Sequence, residues 1–148
     1  RQYAHAKRGN IRNVYTPCFV TNGKEWRGFF DRSSLPTTST RAAVLKATLQ
    51  GDRLQAEFLK PKQRLDLHVV ILACDLATDV RRGENRGKIL KEQFVAIHHG
   101  THPGDSNQWH LRLPSYEVRD GSRYALALFV TEKGALEPLQ ATGGWLRH

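Results

Sequence analysis

The stretch from Leu65 to Asp75 places the tightest limit on what this chain can fold into. It reads Leu-Asp-Leu-His-Val-Val-Ile-Leu-Ala-Cys-Asp, alternating at first and then apolar at almost every position. Alternation sends side chains to opposite faces of a strand, and an apolar run must be covered on both faces, so this segment is expected in the middle of a sheet. The same period of two continues on either side. Val44 to Leu49 and Leu54 to Leu59 flank the turn Gln50-Gly51-Asp52, and Phe94 to His98, Trp109 to Leu113, Tyr124 to Thr131 and Leu136 to Thr142 supply further strands. Short strands with turns between them predict an antiparallel β-sandwich over residues 41–148. Within it, Gly100 to Gln108 carries Gly, Pro, Asp, Ser and Asn and is expected to be an exposed loop.

The front of the chain follows a different rule. Gln2 to Arg8 suits a helix that stops at Gly9-Asn10. Val14, Phe19 and Val20 surround Thr16-Pro17, and Asn22-Gly23 is a hairpin turn leading to Glu25-Trp26-Arg27-Gly28, so two short antiparallel strands are expected there. From Phe30 to Thr40 the residues are mainly Asp, Ser, Pro and Thr, which bury little, and a domain boundary is expected near residue 40.

Composition excludes several classes. With 39% hydrophobic and 25% charged residues in 148, the chain is globular in make-up, neither disordered nor a disulfide-dense miniprotein. Its longest apolar run, Val69 to Cys74, is far short of the roughly 20 residues of a membrane-spanning helix, so no transmembrane segment is expected. Met is absent, so Arg1 is expected to follow processing or cleavage, with any targeting segment upstream. Lys and Arg number 23 against 14 Asp and Glu, a net charge of +9, and the excess is densest in the first forty residues. A basic surface attracts polyanions without sequence preference. No basic recognition helix or interleaved aromatic set accompanies the charge, so no specific nucleic-acid partner is expected.

Val14-Tyr15-Thr16-Pro17, Val20-Thr21-Asn22-Gly23 and Arg82-Gly83-Glu84-Asn85-Arg86-Gly87-Lys88 together resemble a secreted bacterial family of unknown function that joins a thioredoxin-like domain to a β-sandwich. The resemblance implies a fold of class α/β plus all-β. Residues 1–40 would be the rear of a thioredoxin-like unit, a helix end plus a cis-proline hairpin, and residues 41–148 the sandwich. It also implies a secreted or periplasmic setting and thiol–disulfide handling, with a protein thiol as substrate. The chain departs from the family pattern in three places. No Cys-x-x-Cys pair is present, Cys18 stands where Gln is common, and Lys88 replaces the final Arg of the sandwich signature. A missing N-terminal half, which a separate chain could supply, is therefore the expected partner, and no catalytic residue is assigned within these residues.

Residue by residue, Thr16-Pro17 read alone is a trans X-Pro bond at a strand start, whereas the resemblance implies a cis bond whose backbone at Thr16 faces substrate. Thr16, Pro17 and Cys18 are thus the expected groove wall. Cys18 and Cys74 are the only thiols. Cys74 reads as a small core residue, a disulfide between the two is not expected, and Cys18 is open to a core or a regulatory reading. In the loop Arg82 to Lys88, two glycines and alternating charge suit a clamp in which Glu84 pairs with Arg86 and Asn85 bonds nearby backbone. The alternative is an anion or partner site using Arg82, Arg86 and Lys88. His98, His99, His102 and His110 invite a zinc reading, but cysteines or helical His pairs are lacking, so a solvated loop with no metal is expected. Trp26, Trp109, Trp145, Tyr116 and Tyr124 read as core or interface aromatics. No serine-nucleophile, phosphate-loop or paired-carboxylate motif occurs, and no cofactor is expected. The alternative to thiol handling is a non-enzymatic β-sandwich that binds an anionic ligand or a protein partner.

Overall fold

The computed structural model describes residues 2–9, 11–12, 19–21, 24–37, 43–59 and 64–147. In chain order the elements are α1 (Gln2–Lys7), β1 (Val20–Thr21), β2 (Lys24–Glu25), α2 (Gly28–Asp31), β3 (Val44–Gln50), β4 (Arg53–Leu59), β5 (Leu65–Cys74), β6 (Leu76–Asp79), β7 (Ile89–Glu92), β8 (Val95–Gly104), β9 (Gln108–Arg112), β10 (Arg123–Glu132) and β11 (Pro138–Trp145). A four-stranded sheet runs β11-β10-β5-β8 and a three-stranded sheet β3-β4-β9, while β1-β2 and β6-β7 form two-stranded ribbons. All of these pairings are antiparallel.

The apolar run of β5 sits where its composition demands, paired along its length with β10 on one side and β8 on the other. Leu65, Leu67, Val69, Ile71 and Ala73 point inward beside Tyr124, Leu126, Leu128 and Val130 of β10. Leu45, Leu54, Ala56, Phe58 and Trp109 of the second sheet close the same cluster. Two sheets facing each other across one core give a β-sandwich-like arrangement. Each fully buried Leu, Ile or Val contributes about 1.5–3 kcal/mol relative to exposure, so this cluster is the main source of cohesion. The outer residues of β5, His68, Val70 and Leu72, are half-buried, which explains why the strand tolerates an apolar second face.

The expected class, α/β plus all-β with a partial thioredoxin-like unit, is corrected by this architecture. Among the described residues the fold is β-rich. Its helices are six and four residues long, and no strand pairing is parallel. An α/β layer needs helices long enough to cover a sheet face, and neither helix has that length. The Asn22-Gly23 turn and residues 38–42 lie outside the described residues, although the flanking pairs Val20↔Glu25 and Thr21↔Lys24 do form.

Two further expectations change inside the sandwich. The stretch from Gly100 is not a loop: β8 continues to Gly104, and only Asp105 to Asn107 turn the chain into β9. Glycine and proline weaken a strand interior, but β8 is an edge strand pairing on one side only, where both are tolerated. The last strand starts at Pro138 and reaches Trp145, beyond the expected end at Thr142.

Candidate functional site at one end of the sandwich

After β9 the chain runs without regular structure from Leu113 to Ser122 and crosses the end of the sandwich. The Leu113 N–H ties its start to the Asp52 carbonyl at 2.8 Å, and one side chain holds its second half. Tyr124, at the start of β10 and 1% exposed, accepts the backbone N–H of Arg119 at 2.8 Å and donates to the carbonyl of Glu117 at 3.1 Å. A buried tyrosine hydroxyl returning to the backbone a few residues upstream is the device known as a tyrosine corner in sandwich folds. Tyr116 leans on Tyr124 with ring centroids 5.1 Å apart.

Held this way, the segment walls a cleft of about 450 Å³. Ala73, Leu76, Val95 and Ile97 form its apolar side, while His98, Ser115, Tyr116, Glu117, Arg119 and Tyr124 supply polar atoms. Burial, and then neighbouring Tyr124, raise the Tyr116 hydroxyl above the usual phenol range, so it stays protonated and able to donate. Arg119 and Glu117 approach only to 3.9 Å and are both exposed, a loose pair that leaves the guanidinium able to meet another anion. Across Tyr116 lies a broader groove of about 700 Å³ bounded by Leu49, Asp52, Trp145 and Arg147. Asp52 there is already engaged by Arg112 at 3.3 Å. The smaller cleft is the stronger candidate because it sets the His98 imidazole beside an arginine and the hydroxyls of Ser115 and Tyr116, whereas the groove offers Arg147 and the same two hydroxyls without it.

Of the residues expected to form a site, Thr16, Pro17 and Cys18 lie outside the described residues. Arg82, Glu84, Asn85, Arg86 and Lys88 are exposed on the loop joining β6 to β7. Backbone bonds close that loop: Val80 N–H to Lys88 O at 3.0 Å and Gly87 N–H to Val80 O at 2.8 Å. Gly83 and Gly87 adopt φ of 84° and 80°, left-handed values that side chains disfavour. The Lys88 ammonium donates to Asn85 Oδ1 at 3.1 Å. Among the described residues no ion pair joins Glu84 to Arg86. The loop begins just beyond β6, whose Leu76 lines the cleft. Cys74 is buried, and its sulfur accepts the Phe94 N–H at 3.4 Å.

The histidines divide between faces because β8 is a strand throughout. His98 and His102 stand opposite Ile71 and Leu67 on the inward side, and His99 turns outward. Burial, and then His98, lower His102 below the usual imidazole range. Outside, His99 Nε2 meets His68 Nδ1 at 3.1 Å, and His68 reaches Thr131 Oγ1 at 3.2 Å while stacking on Phe129 at 4.3 Å. Among the described residues no three His, Cys, Asp or Glu side chains assemble as a metal set. His68 and the tyrosine pair were not singled out by sequence as a site; the alternation of β5 does mark His68 as outward-facing, whereas nothing local announces where Tyr124 bonds.

The fold and cleft define a β-sandwich-like protein with an open, mixed polar and apolar recess at one end. By sequence the chain belongs to the family described as protein of unknown function (DUF1223), which it matches over residues 1–131. No curated protein and no solved structure matches it.

Proposed function

We propose that the protein is a non-catalytic binding module that takes an anionic group attached to an apolar body. The observation that carries this reading is the cleft in which Arg119, His98, Ser115 and Tyr116 border Ala73, Leu76, Val95 and Ile97. A cation and neutral donors can hold a carboxylate by charge-assisted hydrogen bonds, and the apolar wall adds the area that a free ion lacks. Exposed Arg82 and Arg86, with no ion pair among the described residues, add a positive field that favours anionic partners. Thiol–disulfide handling draws no support from Cys74, which is buried within the sheet.

Octanoate, titrated by calorimetry and by amide shifts, is a suitable probe. Binding with shifts centred on Ser115 to Tyr124, and loss of about tenfold in affinity on Arg119→Ala, supports the reading. Equal binding of octylamine, or shifts confined to other parts of the surface, overturns it.

A further inference from the structure

On β8 the inward positions are His98, Gly100, His102 and Gly104, facing the row Ile71, Val69, Leu67 and Leu65. Strand residues four apart stand about 13 Å from each other along the backbone, too far for imidazoles held upright to meet. Here the rings lean together over the glycine between them. A Cβ built at Gly100 would lie 2.8 Å from His102 Nε2 and 3.3 Å from His98 Nε2, so both nitrogens border the space that residue 100 leaves empty. The next inward position is closed off, because the Trp109 ring covers Gly104 and its indole N–H donates to the His102 carbonyl at 3.0 Å.

We propose that His98 and His102 form a two-imidazole site for a divalent late transition ion seated over Gly100, with water completing its coordination. Imidazole nitrogen is a preferred ligand of such ions at about 2.0–2.1 Å, which requires two nitrogens to border one common space. His98 also lines the end cleft, so the open coordination positions lie toward solvent there. The outer pair differs. His68 and His99 have ring centroids 5.3 Å apart with facing nitrogens 3.1 Å apart, a separation in which one imidazole N–H donates to the other ring and no ion fits between. This proposal goes beyond the anion-binding reading and does not depend on it.

Copper(II) is the probe, since it binds nitrogen sites most tightly among these ions. Titration of the full chain with copper(II) chloride, followed by calorimetry and electron paramagnetic resonance, is expected to show one ion with hyperfine coupling to two nitrogens. His98→Ala and His102→Ala should each weaken binding at least about tenfold. Gly100→Ala keeps both imidazoles yet puts a methyl group into the space that both nitrogens border, 2.8 Å from His102 Nε2, and should weaken binding comparably. The displaced atom is the far end of a side chain, so this variant should keep its metal-free melting temperature. His68→Ala should bind copper like the parent. Undiminished binding by His102→Ala or Gly100→Ala, or its loss in His68→Ala, overturns the proposal. Octanoate affinity measured on Gly100→Ala without metal separates failure of this site from failure of the cleft.

Discussion

Residues 2–37 and residues 43–147 are held by different means. Among the described residues of the first segment the strands are two residues long, the helices six and four, and Ile11 is the one hydrophobic side chain below one-tenth exposure. Its described tertiary ties include the Arg12 N–H to Glu25, the edge-on contact of Phe19 with Trp26, and one long-range bond from the Arg8 guanidinium to the Gly134 carbonyl. In the second, ten-residue strands interlock through a core in which Leu67, Ile71 and Val130 have no exposure at all. The contrast teaches that cooperative stability resides where long alternating strands share apolar neighbours, because cohesion grows with the number of side chains packed against one another.

Several measurements would break or sharpen that contrast. Ile71→Ala should lower unfolding free energy by about 2–5 kcal/mol in urea titrations, and Ile11→Ala should cost clearly less. Equal losses would show the two regions to be one cooperative unit. Tyr124→Phe removes the hydroxyl that serves both Arg119 and Glu117, so it should cost about 1–3 kcal/mol and speed proteolysis between Leu113 and Ser122. Unchanged proteolysis would mean that packing of Tyr116, rather than the corner, holds the cleft wall. Gly83→Ala forces a side chain into φ of 84° and should cost about 1 kcal/mol, smaller than either, since the site is exposed and sterically open.

The smallest effect concerns acid. Hydrogen bonds from Gln93 and then from Arg123 hold the Asp75 carboxyl below its ordinary range. A lowered folded pKa adds stability above the unfolded value of 3.8, and that stability is lost as pH falls through the folded value. Asp75→Asn should therefore flatten the acid side of a stability–pH profile while leaving its alkaline side parallel to the parent. An unchanged acid limb would show that the exposed pair contributes nothing.

How far the sequence could be read follows from the same contrast. Leu65 to Cys74 announces a central strand because its alternation passes into a run that is apolar on both faces, and the hairpin of Val44 to Leu59 is equally plain. The sequence ends the β8 strand at His98 because Gly, Pro and Asp signal loops locally, while its pairing with β5 from Leu65 to Ala73 outweighs that signal. For the front segment, a family resemblance supplied an α/β expectation that no periodic pattern backed, and the short elements there do not form such layers. The expected groove residues Thr16 to Cys18 fall outside the described residues, and glycines mark the charged loop from Arg82 to Lys88, though nothing local marks its Lys88–Asn85 bond.

By itself, then, the order of residues determined where the long core strands run and which of their faces are apolar, because side-chain alternation is a local property of an extended backbone. Only the tertiary structure decided that Tyr116, Arg119 and His98 would share a cleft, and that His98 and His102 would lean over Gly100. Those meetings depend on strand register and on how two sheets close over one another, and both are set by contacts between residues far apart in the chain.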